Sequence, residues 1–165
     1  MRKQKGFSLI ELLIVVAIIL IVAAIAIPNL VRSRMAANES SAVSSLRTIN
    51  TAEIAYFSTY GIGYAPLPNL GGPAVCVASS NTACIIDTYL TGGAKSGYTI
   101  NTPAPGALGT IVAPNVIYSV NAVPMVIGSS GQRSFCSDQT GVLRNDATGA
   151  VPANPCNTSG LNALQ

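Results

Sequence analysis

Lys5-Gly6-Phe7-Ser8-Leu9-Ile10-Glu11-Leu12 opens an apolar run, Leu12–Ile27 (LLIVVAIILIVAAIAI), that ends at Pro28. From Phe7 to Ile27 there are 21 residues. At 1.5 Å per residue a helix of that length is about 30 Å long, the thickness of a bilayer core. Glu11 lies inside this stretch. An ionisable residue in a membrane helix costs about 2.5–3.5 kcal/mol at the centre and is a functional site by default.

Working outward, Arg2, Lys3 and Lys5 precede the run and mark its cytoplasmic flank, which places the C-terminal bulk outside. They also hold three of the nine positive charges among 165 residues. Beyond residue 6, six bases (Arg32, Arg34, Arg47, Lys95, Arg133, Arg144) face six acids (Glu11, Glu39, Glu53, Asp87, Asp138, Asp146). The net charge of +3 therefore belongs to a short N-terminal tag and is no argument for nucleic-acid binding.

Three readings of the segment compete. A plain membrane anchor explains the apolar run but not Glu11. A cleaved secretory signal, with an A-x-A-like site at Ala24-Ile25-Ala26, leaves Glu11 equally unexplained. The third reading accounts for it. Gly6-Phe7-Ser8-Leu9-Ile10-Glu11 after a basic leader, the following apolar run and Pro28 resemble the processing site of type IV prepilins, and the resemblance covers residues 1 to about 60.

That resemblance implies a cut after Gly6 by a dedicated inner-membrane prepilin peptidase, N-methylation of the new terminus Phe7, and retention of the apolar segment. It implies a helical homopolymer outside the cell, built by inner-membrane assembly machinery from subunits first held in lipid. The physics is consistent with it. After cleavage Phe7 carries an amine with a reference pKa near 7.7–8.0. A buried charge is tolerable only when paired. Glu11 of one subunit meeting the Phe7 amine of its neighbour sets the axial register, as a buried polar residue does in a coiled coil.

Pro28 ends or kinks a helix. The helical signal resumes at once, so a kink is expected, as the family has. Many pilins carry Gly at the position of Leu20; Leu20 keeps this segment stiffer. Over 29–60 a stripe at Ala42, Leu46, Ile49, Ala52, Tyr56 and Tyr60 has helical spacing, and Gly61 and Gly63 stop it. Polar and Ala-rich positions (Arg32, Arg34, Ala36, Ala37, Asn38, Glu39, Ser40, Ser41) alternate with that stripe. Arg32 and Arg34 meet lipid headgroups or neighbouring acids, or simply form a solvated face.

The expected organisation is a leader at 1–6, a transmembrane or filament-core helix at 7–28, its amphipathic continuation at 29–60, a Gly- and Pro-rich loop at 61–95 and a sheet with a C-terminal disulfide loop at 96–165. The loop corresponds to the exposed αβ-loop of pilins, with a weakly signalled short helix near Ile85–Leu90. Tyr98–Ile100, Val116–Val123, Arg133–Cys136 and Val142–Arg144 read as antiparallel strands, with a turn at Ser137–Gly141. The fold class is α+β: one long N-terminal helix on a small antiparallel sheet.

Cys76, Cys84, Cys136 and Cys156 all follow the membrane segment, form no CxxC pair and have no His beside them, which argues for disulfides in an oxidising compartment. Four cysteines allow three connectivities. A Cys136–Cys156 link resembles the C-terminal disulfide loop of many type IV pilins, so Cys76–Cys84 with Cys136–Cys156 is the pairing expected. Asn38-Glu39-Ser40 and Asn157-Thr158-Ser159 match the short glycosylation pattern only weakly.

No catalytic constellation emerges. There is no His, and Asp87, Asp138 and Asp146 are scattered and read as turn or cap residues. No cofactor is implied. Lys95, Arg133 and Arg144 are too few for a nucleic-acid patch. The expected function is the major subunit of a type IV pilus. The alternatives are a major pseudopilin of a type II secretion system or a minor pilin. Pseudopilins typically carry an acid-rich C-terminal calcium site, where this chain has only Asp138, Asp146 and a Cys pair.

Overall fold

A computed structural model describes residues 6–150, 152, 156 and 161–164. The chain divides into two compact units, Met1–Arg34 and Met35–Gln165. The basic leader up to Lys5 and the Asn157-Thr158-Ser159 pattern lie outside the described residues.

The smaller unit contains the N-terminal part of helix α1 (Leu9–Tyr60). Every residue from 6 to 34 except Ala23 is exposed. The helix is long and apolar enough to cross a membrane. It continues through both Leu20 and Pro28.

The larger unit, the head, is built on the remainder of α1. Ala42, Leu46, Ile49, Ala52 and Tyr56 form the buried stripe, and Tyr60 is half-buried at its end. Fully burying one such Leu, Ile or Phe side chain contributes about 1.5–3 kcal/mol. The helix stops where Gly61 takes φ 66° and donates its N–H to Phe57 O at 3.0 Å. A left-handed residue just past the last turn suits Gly because it has no Cβ to clash.

The stripe packs on a six-stranded antiparallel meander in the order β1 (Ala94–Lys95), β2 (Tyr98–Ala104), β3 (Ser119–Pro124), β4 (Ser134–Asp138), β5 (Arg144–Asp146), β6 (Asn162–Ala163). Tyr98, Ile100, Tyr118, Val120, Ala122 and Phe135 face α1 and complete the core. Register follows from that pattern: Ile100 opposes Ala122, and Ala122 opposes Phe135. A one-residue slip would turn each of them outward. On the other face, Ser119, Asn121, Ser134 and Asp138 are buried. Two residues of the C-terminal part meet that face: Cys156, bonded to Cys136, and Pro152, whose O accepts from Asn121 Nδ2 at 3.4 Å.

The 61–95 loop is more ordered than its composition predicts. It holds α2 (Leu67–Leu70) and α3 (Thr88–Thr91), the latter capped by Asp87, whose Oδ1 accepts from Leu90 N–H at 2.7 Å. Leu70 O accepts from both Ile85 and Ile86 N–H. The expected strand start at Val116 is corrected: β3 begins at Ser119. Asn115 is bonded instead to Ile62 and Tyr64, just past the end of α1, which pulls Val116 and Ile117 out of the ladder. Val142 and Leu143 likewise precede β5.

Candidate assembly site

In the N-terminal unit Gly6 has open space where a side chain would stand, and Phe7 is 82% exposed. Ser8 precedes α1, and its backbone N–H donates to Glu11 Oε2 at 2.8 Å. Ser at the N-cap with Glu three residues on is the capping-box pattern, and here the Glu limb of it is formed. The signal for it is present in the sequence as Ser8-x-x-Glu11, overshadowed there by the membrane setting of the charge. Glu11 therefore has a local acceptor role in the single subunit, in the first turn where the helix dipole favours an acid.

Beyond Glu11 the helix offers bare Leu, Ile and Val on all sides up to Val31. A helix apolar all round is stable only in lipid or in a protein core.

In the head, the polar residues of α1 do more than face solvent. Glu39, one of the polar positions along α1, is buried. Its Oε1 accepts from the backbone N–H groups of Gln132 (2.9 Å) and Arg133 (3.1 Å), and its Oε2 from Arg133 Nε (2.9 Å) and Nη2 (2.7 Å). Burial pushes the carboxyl pKa up, but those donors together outweigh it and hold it below the usual value. The residue sits where it does because the β3–β4 connection needs acceptors.

Glu53 is fully buried on the stripe side. Its Oε2 accepts from Ala65 N–H at 2.9 Å, and its Oε1 has no partner among the described residues. Burial pushes its pKa up to about 7, and the Ala65 N–H offsets that only partly. Beside it runs a closed polar chain. Tyr118 O–H donates to Asn50 Oδ1 (2.9 Å), Asn50 Nδ2 to Ser137 Oγ (2.8 Å), and Ser137 O–H to Val142 O (3.3 Å). The first two of these pairings have no local sequence signal, because each joins residues far apart in the chain.

Disulfides join Cys76 to Cys84 and Cys136 to Cys156. Tyr56 O–H donates to Ser80 O at 2.6 Å, tying the smaller loop to α1. Asp138 and Asp146 each accept from the N–H two residues on, so both act in turns. Asn38 Nδ2, in one of the glycosylation patterns, donates to Ser130 O at 2.8 Å. Among the described residues no His, Cys, Asp and Glu side chains gather in a group fit to hold a metal ion.

Residues 1–27 match the prokaryotic N-terminal methylation motif. The chain is similar to the type IV major pilin protein PilA of Myxococcus xanthus, 43% identical over 72 residues, which is 39% of this chain and 33% of that protein. It is also similar to the type IV wide pilus major component PilA4 of Thermus thermophilus, 40% identical over 97 residues, 52% of this chain and 74% of that protein. The matched region thus spans about a third of the Myxococcus relative. No solved structure matches.

Proposed function

The chain belongs to the type IV pilin family, and on that premise we propose that it is the major subunit of a type IV pilus. The observation that carries this reading is the bare apolar helix of the N-terminal unit, joined to a head that folds on its own core. Apolar area is worth about 25 cal/mol per Å² when removed from water, so such a helix partitions into lipid or into a bundle of its own kind.

The sequence of events follows from the residues. Arg2, Lys3 and Lys5 hold the leader on the cytoplasmic side, and the head is delivered across the inner membrane. Prepilin peptidase cuts after Gly6 and methylates the new terminus at Phe7. Before the cut the nitrogen of Phe7 is an amide without charge. After it, the nitrogen is an amine that is cationic at neutral pH.

Glu11 then has two partners to choose between, its own Ser8 N–H and the Phe7 amine of a neighbouring copy. Both bonds are charge-assisted on the carboxylate side, but only the amine brings a full opposite charge, and that attraction grows away from water. Pairing every Glu11 with a neighbour's amine selects one stagger, and the apolar segments exchange lipid for each other. Pro28 lets the helix adjust its course by kinking at the missing N–H.

The pseudopilin alternative loses its motive in the head. Asp138 is buried with Arg144 Nη1 at 3.8 Å from its Oδ2, which leaves it unsuited to a calcium cage. Electron microscopy of sheared surface fibres, with the chain present and with it deleted, tests the proposal. Fibres that vanish on deletion support it; fibres that persist unchanged count against a major subunit.

A further inference from the structure

Two bare apolar surfaces lie at opposite ends of the head. The first is the β2–β3 connection, residues 105–118. Asn115 pins it to the segment that directly follows α1. Its N–H donates to Ile62 O (3.1 Å), its O accepts from Tyr64 N–H (2.9 Å), and its Nδ2 donates to the carbonyls of Tyr64 (3.1 Å) and Ala107 (2.8 Å). Held in this way, Ile111 and Val112 stand 82% and 95% exposed. Pro105, Leu108, Pro114, Val116 and Ile117 line an open hollow of about 440 Å³ beside them.

The second surface is Met125-Val126-Ile127, at the start of the β3–β4 connection, each more than half exposed. Its anchors are at the other end of the same helix stretch. Asn38 holds Ser130 O, and Glu39 holds the N–H groups of Gln132 and Arg133. From Glu39 to Tyr60 α1 rises about 31 Å. β3 runs between the two connections, so the surfaces sit at its opposite ends. They cannot cover each other within one copy. No side chain from Ser96 to Gln132 is charged, so neither surface carries a charge of its own to keep it in water.

We propose that these surfaces are two halves of one contact between heads: the hollow at 105–117 of one copy receives Met125–Ile127 of the next. One half is an open hollow and the other three consecutive apolar residues, each more than half exposed. A contact between two different patches is heterologous, and unless its rotation closes into a ring it propagates as an open helical array. A dimer-forming surface would instead pair a patch with itself. The contact rests on the polymerisation reading and adds a head-to-head joint to the bundle of apolar helices.

The native cysteines of the described residues are all paired, so engineered ones report cleanly. Full-length chain carrying both Val112→Cys and Val126→Cys is assembled into fibres and oxidised. A covalent ladder running beyond the dimer on a non-reducing gel is expected, with none from either single variant. Val112→Glu or Val126→Glu is expected to lower fibre yield by about tenfold or more, and Val112→Lys with Val126→Glu to restore it.

Wild-type fibres with no ladder overturn the contact alone, as do dimers from Val112→Cys by itself or full yield from Val112→Glu. Absence of wild-type fibres overturns the polymerisation reading and the contact with it. A polarity-sensitive fluorophore on Val126→Cys separates the remaining occupant: shielding in fibres is expected. Shielding in membranes with a water-like signal in fibres assigns Met125–Ile127 to lipid and overturns the contact.

Discussion

Glu39 and Arg133 meet across 94 positions of sequence, with Arg133 Nε and Nη2 both on Glu39 Oε2. The pair joins the middle of α1 to the start of β4. The guanidinium side chain is 44% exposed while the carboxylate side is 11% exposed. The two partners are therefore unequal. Half-exposed ion pairs contribute little, about 0–1 kcal/mol. Glu39 also satisfies two backbone N–H groups, and leaving buried donors unpaired costs about 1–3 kcal/mol each.

Glu39→Ala is accordingly expected to destabilise the head more than Arg133→Ala, by a margin of about 1–3 kcal/mol. Chemical denaturation of the two variants side by side checks this. Equal losses would mean that the ion pair, and not the backbone acceptors, holds the joint.

Glu39 and Glu53 give the head opposite pH responses. The folded pKa of Glu39 is depressed, so its contribution is present above the unfolded value of 4.5 and is lost as pH falls through the folded value. The folded pKa of Glu53 is raised to about 7, so its contribution is full below 4.5 and is lost as pH rises through 7. Stability is expected to peak at mildly acidic pH and to decline from about pH 5 to about pH 8. Glu53→Gln should flatten that decline; thermal melts across the range test it, and an unchanged slope would locate the titration elsewhere.

The two disulfides should differ in how easily they are reduced. Cys136 and Cys156 are both 0% exposed, whereas Cys84 is exposed and Cys76 lies beside it in the surface loop. Mild reductant with alkylation and mass analysis is expected to label Cys76 and Cys84 first. Replacing the Cys136–Cys156 pair by Ser, which opens a separation of 20 residues, should cost about 3 kcal/mol in the chain-entropy picture.

Leu46 is fully buried where the stripe meets the sheet. Leu46→Ala should cost about 2–5 kcal/mol of head stability. The apolar residues ahead of Arg34 lie in the other unit, so Leu13→Ala is expected to leave the head's unfolding transition where it is. Parallel denaturation curves of the two full-length variants decide this.

What the sequence disclosed depended on the range of the interaction. The stripe from Ala42 to Tyr56 was legible because helical periodicity is a local signal, and Gly61 marked the stop for the same reason. Asp87 and Asp146 were legible as a cap and a turn residue, since each bonds within three positions of itself. The partners of Glu39 carry no sequence signal, because they lie more than ninety residues away. The expected start of β3 fails because Val116 and Ile117 look like strand, while Asn115 commits the backbone to Ile62 and Tyr64 beyond α1. At the N-terminus, the charge at Glu11 was legible but its bond to Ser8 went unread.

On the proposed function Glu11 is kept for a partner created when the Gly6–Phe7 bond is cut. Glu11→Val is expected to leave insertion, cleavage and head stability intact while fibre yield collapses. The most direct measurement is the intact mass, with N-terminal fragment ions, of the subunit in sheared fibres. The account predicts a chain beginning at N-methylated Phe7 with both disulfides closed. A chain beginning at Ile27, or one still carrying Met1, would contradict it.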